Sequence, residues 1–275
     1  MLVPFLIMLR EGIEAALIIG IIAGYLGRTG RAVWLPAVWV GVLLALAMSF
    51  SVGAGLKLVS AEFPQKAQEL FEALVGLLAV LLLTSMVFWM RATARSISGN
   101  LRAEIDTALS GSGAALALVG MSFFAVGREG LESVFFLLAV FQGGGVAAPI
   151  GALAGLLVAV AVGYALYAGA LRIDLGRFFR WTGVFILLVA AGLLASSLRS
   201  LHEAGLWNLA QARVYDLSAV LPVSSVPGTI LSGLFGYQES PALGEVVAYL
   251  VFLVIALVLF LKPSSSRPGA IGARI

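Results

Sequence analysis

Long apolar stretches broken by short polar intervals organise this chain. They cover roughly residues 2–27, 32–56, 70–90, 111–142, 146–171, 181–198 and 243–261. A helix needs about 20 apolar residues to cross a bilayer, and most of these stretches reach or exceed that length. The pattern predicts an all-α polytopic membrane protein with seven transmembrane helices. The first stretch lacks a basic leader and a small-residue cleavage site, and it carries charges inside its apolar part, so it reads as a span rather than a signal peptide.

Composition narrows the class. The chain has 275 residues, 61% hydrophobic and 11% charged, where a soluble domain carries about 25% charged residues. A soluble enzyme, a secreted module and a disordered chain are excluded. Cysteine is absent, which removes thiolate metal sites, redox pairs and disulfides. The net charge of +3 is explained by placement. Arg28, Arg31, Arg91, Arg95, Arg102, Arg172, Arg177, Arg180, Lys262, Arg267 and Arg274 fall in the odd-numbered loops and the tail. The even segments hold only Lys57, Lys66, Arg199 and Arg213. By the positive-inside rule the N-terminus is outside and the C-terminus cytoplasmic. The basic excess faces anionic cytoplasmic lipid, and no nucleic-acid partner is needed.

A single unit is expected over residues 1–262. The long connection 199–242 forms an external cap, and 263–275 a flexible cytoplasmic tail.

Two spans carry the same charged pattern: Arg10-Glu11-Gly12-Ile13-Glu14 in the first and Arg128-Glu129-Gly130-Leu131-Glu132 in the fourth. Each such group at mid-membrane costs about 2.5–3.5 kcal/mol on insertion scales. At 100° per residue, the arginine and both glutamates share one helix face, and the glutamates are i,i+3 neighbours. The first and fourth spans cross in opposite directions. Residues 2–90 and 111–198 therefore form a 3+3 inverted repeat, with one extra helix at 243–261. At 1.5 Å per residue, each carboxylate pair lies about 15–18 Å below its outer helix end, near the midplane. Secondary transporters place substrate there, between inverted repeats.

Glu11, Glu14, Glu129 and Glu132, with Arg10 and Arg128 supporting them, sum to a formal charge of −2. That suits a multivalent cation, and the hard oxygen donors favour iron, manganese, magnesium or calcium. Alternatively, each arginine simply neutralises the glutamate at i+4, as a structural pair.

The paired Arg-Glu-x-x-Glu motifs resemble those of the oxidase-dependent iron transporters, the iron/lead transporter family, in its bacterial ferrous-permease branch. The flanks are similar too: Phe5-Leu-Ile-Met-Leu9, Glu62-Phe-Pro-Gln-Lys66, Met86-Val-Phe-Trp-Met-Arg91, Phe123-Phe-Ala125, Ser133-Val-Phe-Phe-Leu-Leu138, His202-Glu-Ala-Gly-Leu-Trp-Asn208 and Phe235-Gly-Tyr-Gln-Glu239. The resemblance spans nearly the whole chain. It implies a high-affinity iron permease with the four glutamates as iron-translocating ligands. Iron would be cargo, with no permanently bound cofactor. It also implies periplasmic partners, a cupredoxin-like iron-binding protein and a haem peroxidase. A homo-oligomer is left open.

Other signals have two readings each. Glu69 and Glu72, i,i+3 at the start of the third span, either collect ions or answer the helix dipole. His202, the only histidine, and Glu203 are either vestibule ligands or ordinary loop residues. Asp216, Glu239 and Glu245 add negative field or are solvated acids. Gly20/Gly24 and Gly151/Gly155 read as close helix packing, and Trp34, Trp39, Trp89 and Trp181 as interfacial anchors. Two rival functions remain. A proton-coupled carrier of an organic solute needs further polar side chains or broken helices in the spans. An intramembrane hydrolase needs a metal-binding histidine set or a nucleophile–base pair.

Overall fold

Apolar runs this long leave the backbone one way to satisfy its own polar groups within lipid, the α-helix. A computed structural model describes residues 2–61, 63–93, 97–110, 113–140, 147–168 and 175–262. Arg95, Arg172, Arg267, Arg274 and the tail 263–275 fall outside these residues, as do the side chains of Arg91 and Arg102. The helices are α1 (Leu2–Arg28), α2 (Leu35–Ala61), α3 (Gln65–Thr93), α4 (Ile97–Ser110), α5 (Ala114–Val140), α6 (Ala147–Tyr167), α7 (Leu175–Glu203), α8 (Val226–Phe235) and α9 (Leu243–Leu261). The described residues contain no strand, only an isolated bridge between Arg213 and Ala242.

Among the described residues, five segments are long and apolar enough to cross a membrane: Ala32–Ser60, Gln65–Met90, Ala148–Tyr167, Arg177–Glu203 and Leu243–Leu261. The two other long helices, α1 and α5, have 27 residues each and are interrupted by the charged motifs. The protein is therefore a helical, multi-pass membrane protein. Its apolar outer surface belongs mostly to α2, α6 and α9, whose windows are largely unburied, while α3 and α7 are about half buried.

The helices pair in a regular way. α1 packs along α6, α2 along α5, and α3 against α7, with α9 laid on α7. Contacts show the directions. Gly12 faces Ala159 and Gly163 faces Ala16, so α1 and α6 run parallel. Gly41 faces Ser122 and Gly53 faces Val134, so α2 and α5 are parallel too. Gly76 meets Ser197 and Gly183 meets Val87, so α3 and α7 are antiparallel. The largest buried cluster joins Val3 and Ile7 of α1 to Leu83 and Met86 of α3, Phe136 of α5, Leu187 of α7 and Phe260 of α9.

Two helices were not expected from the hydropathy. In α4, Ile97, Leu101, Ile105 and Leu109 recur every fourth residue on an otherwise polar segment. Ile105 is fully buried among Ile22, Leu26, Val38 and Leu118. Asp106 beside it accepts a hydrogen bond from Tyr25 Oη at 2.6 Å and pairs with Arg31 at 3.2 Å. The other is α8, within the 199–242 connection. Ser225 caps its start by accepting from Gly228 N, and it ends at Gly236 against Gly192 of α7.

Candidate ion site

α1 and α5 cross antiparallel. Ile22 and Leu26 cluster with Leu118, and Ala15 and Ile19 with Val126, which brings the two charged motifs level. Arg10, Glu11, Glu14, Glu129 and Glu132 are all buried. One carboxylate oxygen from each of Glu11, Glu14 and Glu129 lies within 4.8 Å of the other two. Glu11 and Glu129 are within hydrogen-bonding reach of one another, and acids this close do not both stay ionised unless a proton or a cation lies between them. Oε2 of Glu11, Glu129 and Glu132 has no hydrogen-bond partner. These oxygens are a hard-donor cluster with coordination capacity to spare.

The arginines occupy different surroundings. Arg10 Nη1 donates to Glu11 at 3.4 Å, while its Nε lies 3.2 Å from Glu14, close enough for an ion pair but not aligned as a hydrogen bond. Nη1 also donates to Met86 Sδ at 3.2 Å. Arg128 Nε donates to Glu132 at 2.9 Å, and its guanidinium carbon sits 4.9 Å above the Trp89 ring. Its side chain is 49% exposed, against 2% for Arg10.

The glycines between the paired glutamates admit neighbouring helices. A Cβ on Gly12 would collide with Ala159 of α6, and one on Gly130 with the Ser49 hydroxyl of α2. That hydroxyl is itself unusual. Ser51, Ser122 and Ser197 donate to carbonyls one turn back at 2.7–2.8 Å. The buried Ser49 Oγ has no partner.

The remaining candidates lie apart from this cluster. Glu69 meets Glu203 and Ser200 within hydrogen-bonding reach, with Glu72 nearby, joining the start of α3 to the end of α7. His202 lies within the last turn of α7, not beyond it, and its Nδ1 is engaged by Trp207 O at 2.8 Å and Asn208 Oδ1 at 3.2 Å. Three further acids, Glu245 in the first turn of α9 and Glu239 and Asp216 in the 199–242 connection, have local duties. Glu245 pairs with Arg199, which also donates to Gln238. Glu239 accepts from Val223 N. Asp216 accepts from the backbone and hydroxyl of Ser218, which hold its carboxyl below the usual range.

One expectation needs correction. Gly20 has nothing within 4 Å of its would-be Cβ and Gly24 only loose contacts. They line a cavity of about 640 Å³ with Leu17, Tyr25, Arg28 and Tyr167 rather than a helix seam. Gly155 does pack closely, against the Phe5 carbonyl. Trp89 carries the Arg128 guanidinium in addition to lying near a helix end. Met86 and Trp89, one turn apart on α3, thus touch both motif arginines. The only sequence sign of this was their i,i+3 spacing.

Apolar helices enclosing a buried carboxylate cluster define a membrane protein that transports ions. Residues 1–266 match the iron permease FTR1 family. The chain belongs to that family, whose members are permeases and not enzymes. It is 53% identical over 272 residues to the "Ferrous iron permease EfeU" of Yersinia pestis, covering 98% of this chain and 96% of the relative. The proteins of the same name from Escherichia coli O157:H7 and Shigella sonnei are each 52% identical over 276 residues, covering all of this chain and 99% of theirs. No solved structure matches the chain.

Proposed function

We propose that this protein takes up iron across the bacterial inner membrane through a midplane site made of Glu11, Glu14, Glu129 and Glu132. The observation that carries this reading is the convergence of carboxylate oxygens from two helices within 4.8 Å. Four acids against Arg10 and Arg128 leave a formal charge of −2, and a divalent ion neutralises it. A structural-pair reading accounts for Arg10 with Glu11 and Glu14 and for Arg128 with Glu132, but gives Glu129, beside Glu11, no arginine of its own. The relatives named as ferrous permeases favour Fe²⁺ as the supplied form.

The architecture in this proposal is seven spans with the N-terminus outside, the C-terminus inside, and 3+3 inverted repeats followed by α9. The helix pairing supports it. A pseudo-two-fold that exchanges α1 with α5, α2 with α6 and α3 with α7 turns the α1–α6 pair into the α5–α2 pair and maps α3–α7 onto itself. Those are the observed pairs, and both exchanged pairs are parallel. Gly12 against Ala159 and Gly130 against Ser49 then occupy equivalent places. The 199–242 connection caps the outer side, with Glu69, Glu72, His202 and Glu203 in a vestibule. The resemblance to the family adds a periplasmic cupredoxin-like iron-binding protein and a haem peroxidase as partners.

Proteoliposomes loaded with a chelator and supplied with radio-iron test the function directly. The native protein should accumulate iron, and Glu11→Gln and Glu129→Gln should each reduce the rate at least tenfold while inserting normally. Native rates from both variants would refute the shared carboxylate site.

A further inference from the structure

The same five-residue pattern is read differently in its two copies. Arg10 reaches both glutamates of its motif, at 3.4 and 3.2 Å, in a closed environment completed by Met86. Arg128 pairs with Glu132, although Glu129 stands in the position that Glu11 holds toward Arg10. Nothing in the local sequence accounts for this, since the charged residues and their spacing are identical. The difference lies on α3. There the Trp89 ring faces the Arg128 guanidinium at 4.9 Å, where the aromatic face attracts a cation. The clustered carboxylates reflect the outcome. The trio within 4.8 Å is Glu11, Glu14 and Glu129, without Glu132.

We propose that Trp89 is a positioning residue of the ion site. Its ring holds the Arg128 guanidinium on Glu132, and so keeps Glu129 available to share an ion with Glu11 and Glu14. An arginine has five donors and a long stem. With its side chain half exposed, Arg128 is not confined by packing as Arg10 is. Without the ring it would take Glu129 as Arg10 takes Glu11, and compete with the ion as an internal cation. Trp89 acts through Arg128 and touches no ion. The inference rests on the four-carboxylate reading above.

The test uses the full chain in proteoliposomes, with Fe²⁺ kept reduced by ascorbate as the probe. Initial uptake is measured against iron concentration for Trp89→Tyr, Trp89→Phe and Trp89→Leu. Aromatic faces bind cations in the order Trp, Tyr, Phe, and leucine offers none. The half-saturating concentration should rise in that order, by about five- to tenfold at leucine, while the maximal rate stays within about twofold. Trp181→Leu, at a tryptophan of α7 that is 75% exposed, should leave both parameters unchanged. Should the leucine variant fail to insert, the order of the tyrosine and phenylalanine variants decides. Native affinity in the leucine variant overturns the proposal. So do equal losses in all three variants, or a fall in maximal rate at constant half-saturation. Glu129→Gln, run alongside, separates the failures: if it transports normally, the site itself is misassigned. If it is inactive while Trp89→Leu is native, only the positioning role falls.

Discussion

Arg10 and Arg128 hold matching places in two motifs, yet removal of each should have different consequences. Arg10 is enclosed, with Glu11, Glu14 and Met86 around it. Deleting one partner of a buried pair leaves an uncompensated charge and costs about 3–5 kcal/mol. Arg128 is half exposed, so its loss is screened. Arg10→Ala should therefore lower thermal stability in detergent and folded yield much more than Arg128→Ala; equal losses would contradict the asymmetry. Arg→Lys at either position should fold but transport iron poorly, because an ammonium lacks the planar fork that orients a carboxylate. Normal uptake in both lysine variants would reduce the arginines to charge neutralisers. At this scale the sequence was informative where spacing alone decides. Six charges at helical intervals on one face located the cluster before any coordinates. It was silent on Trp89 and Met86, because their role depends on how α3 crosses α1 and α5.

Helix seams depend on what a neighbour presents at closest approach. Gly130 has the Ser49 hydroxyl where a side chain would begin. Gly130→Ala should therefore destabilise the protein by about 1–3 kcal/mol, as overpacking does. Adding Ser49→Gly should restore much of that. A thermal shift series on the single and double variants checks this, and absence of rescue would place the strain elsewhere. The same logic explains why the glycine spacings were only partly legible. Gly155 and the Gly20/Gly24 pair come from one small-residue pattern, but Gly155 meets the Phe5 backbone while Gly20 has nothing within 4 Å. A glycine pair shows that close approach is permitted, and the partner helix determines whether it happens. Helix existence was legible where apolar length exceeded a bilayer, as at 243–261, which coincides with α9. α4 escaped because its fourfold apolar stripe lies on a polar segment, and α8 because ten residues are too few to register as a span.

For the whole molecule, the proposed orientation rests on where the basic residues fall, and its test needs no knowledge of transport. A reporter active only in the cytoplasm should work when fused after Arg31, Arg102, Arg180 or Arg267. It should be silent when fused within 205–237. Activity in that interval would invert or break the seven-span arrangement.

The pairing of α1 with the distant α6 also has a consequence in time. α1 leaves the ribosome first, carrying Arg10, Glu11 and Glu14, but its main packing partner α6 ends only at Tyr167. At roughly 5–20 residues per second, synthesis of the intervening chain occupies on the order of ten seconds. Until α5 follows, a helix with three ionisable groups lacks the opposing carboxylates, and until α6 follows it lacks its neighbour. Nascent chains halted before α6 should therefore remain bound to the insertion machinery, and those halted after it should be released into the bilayer.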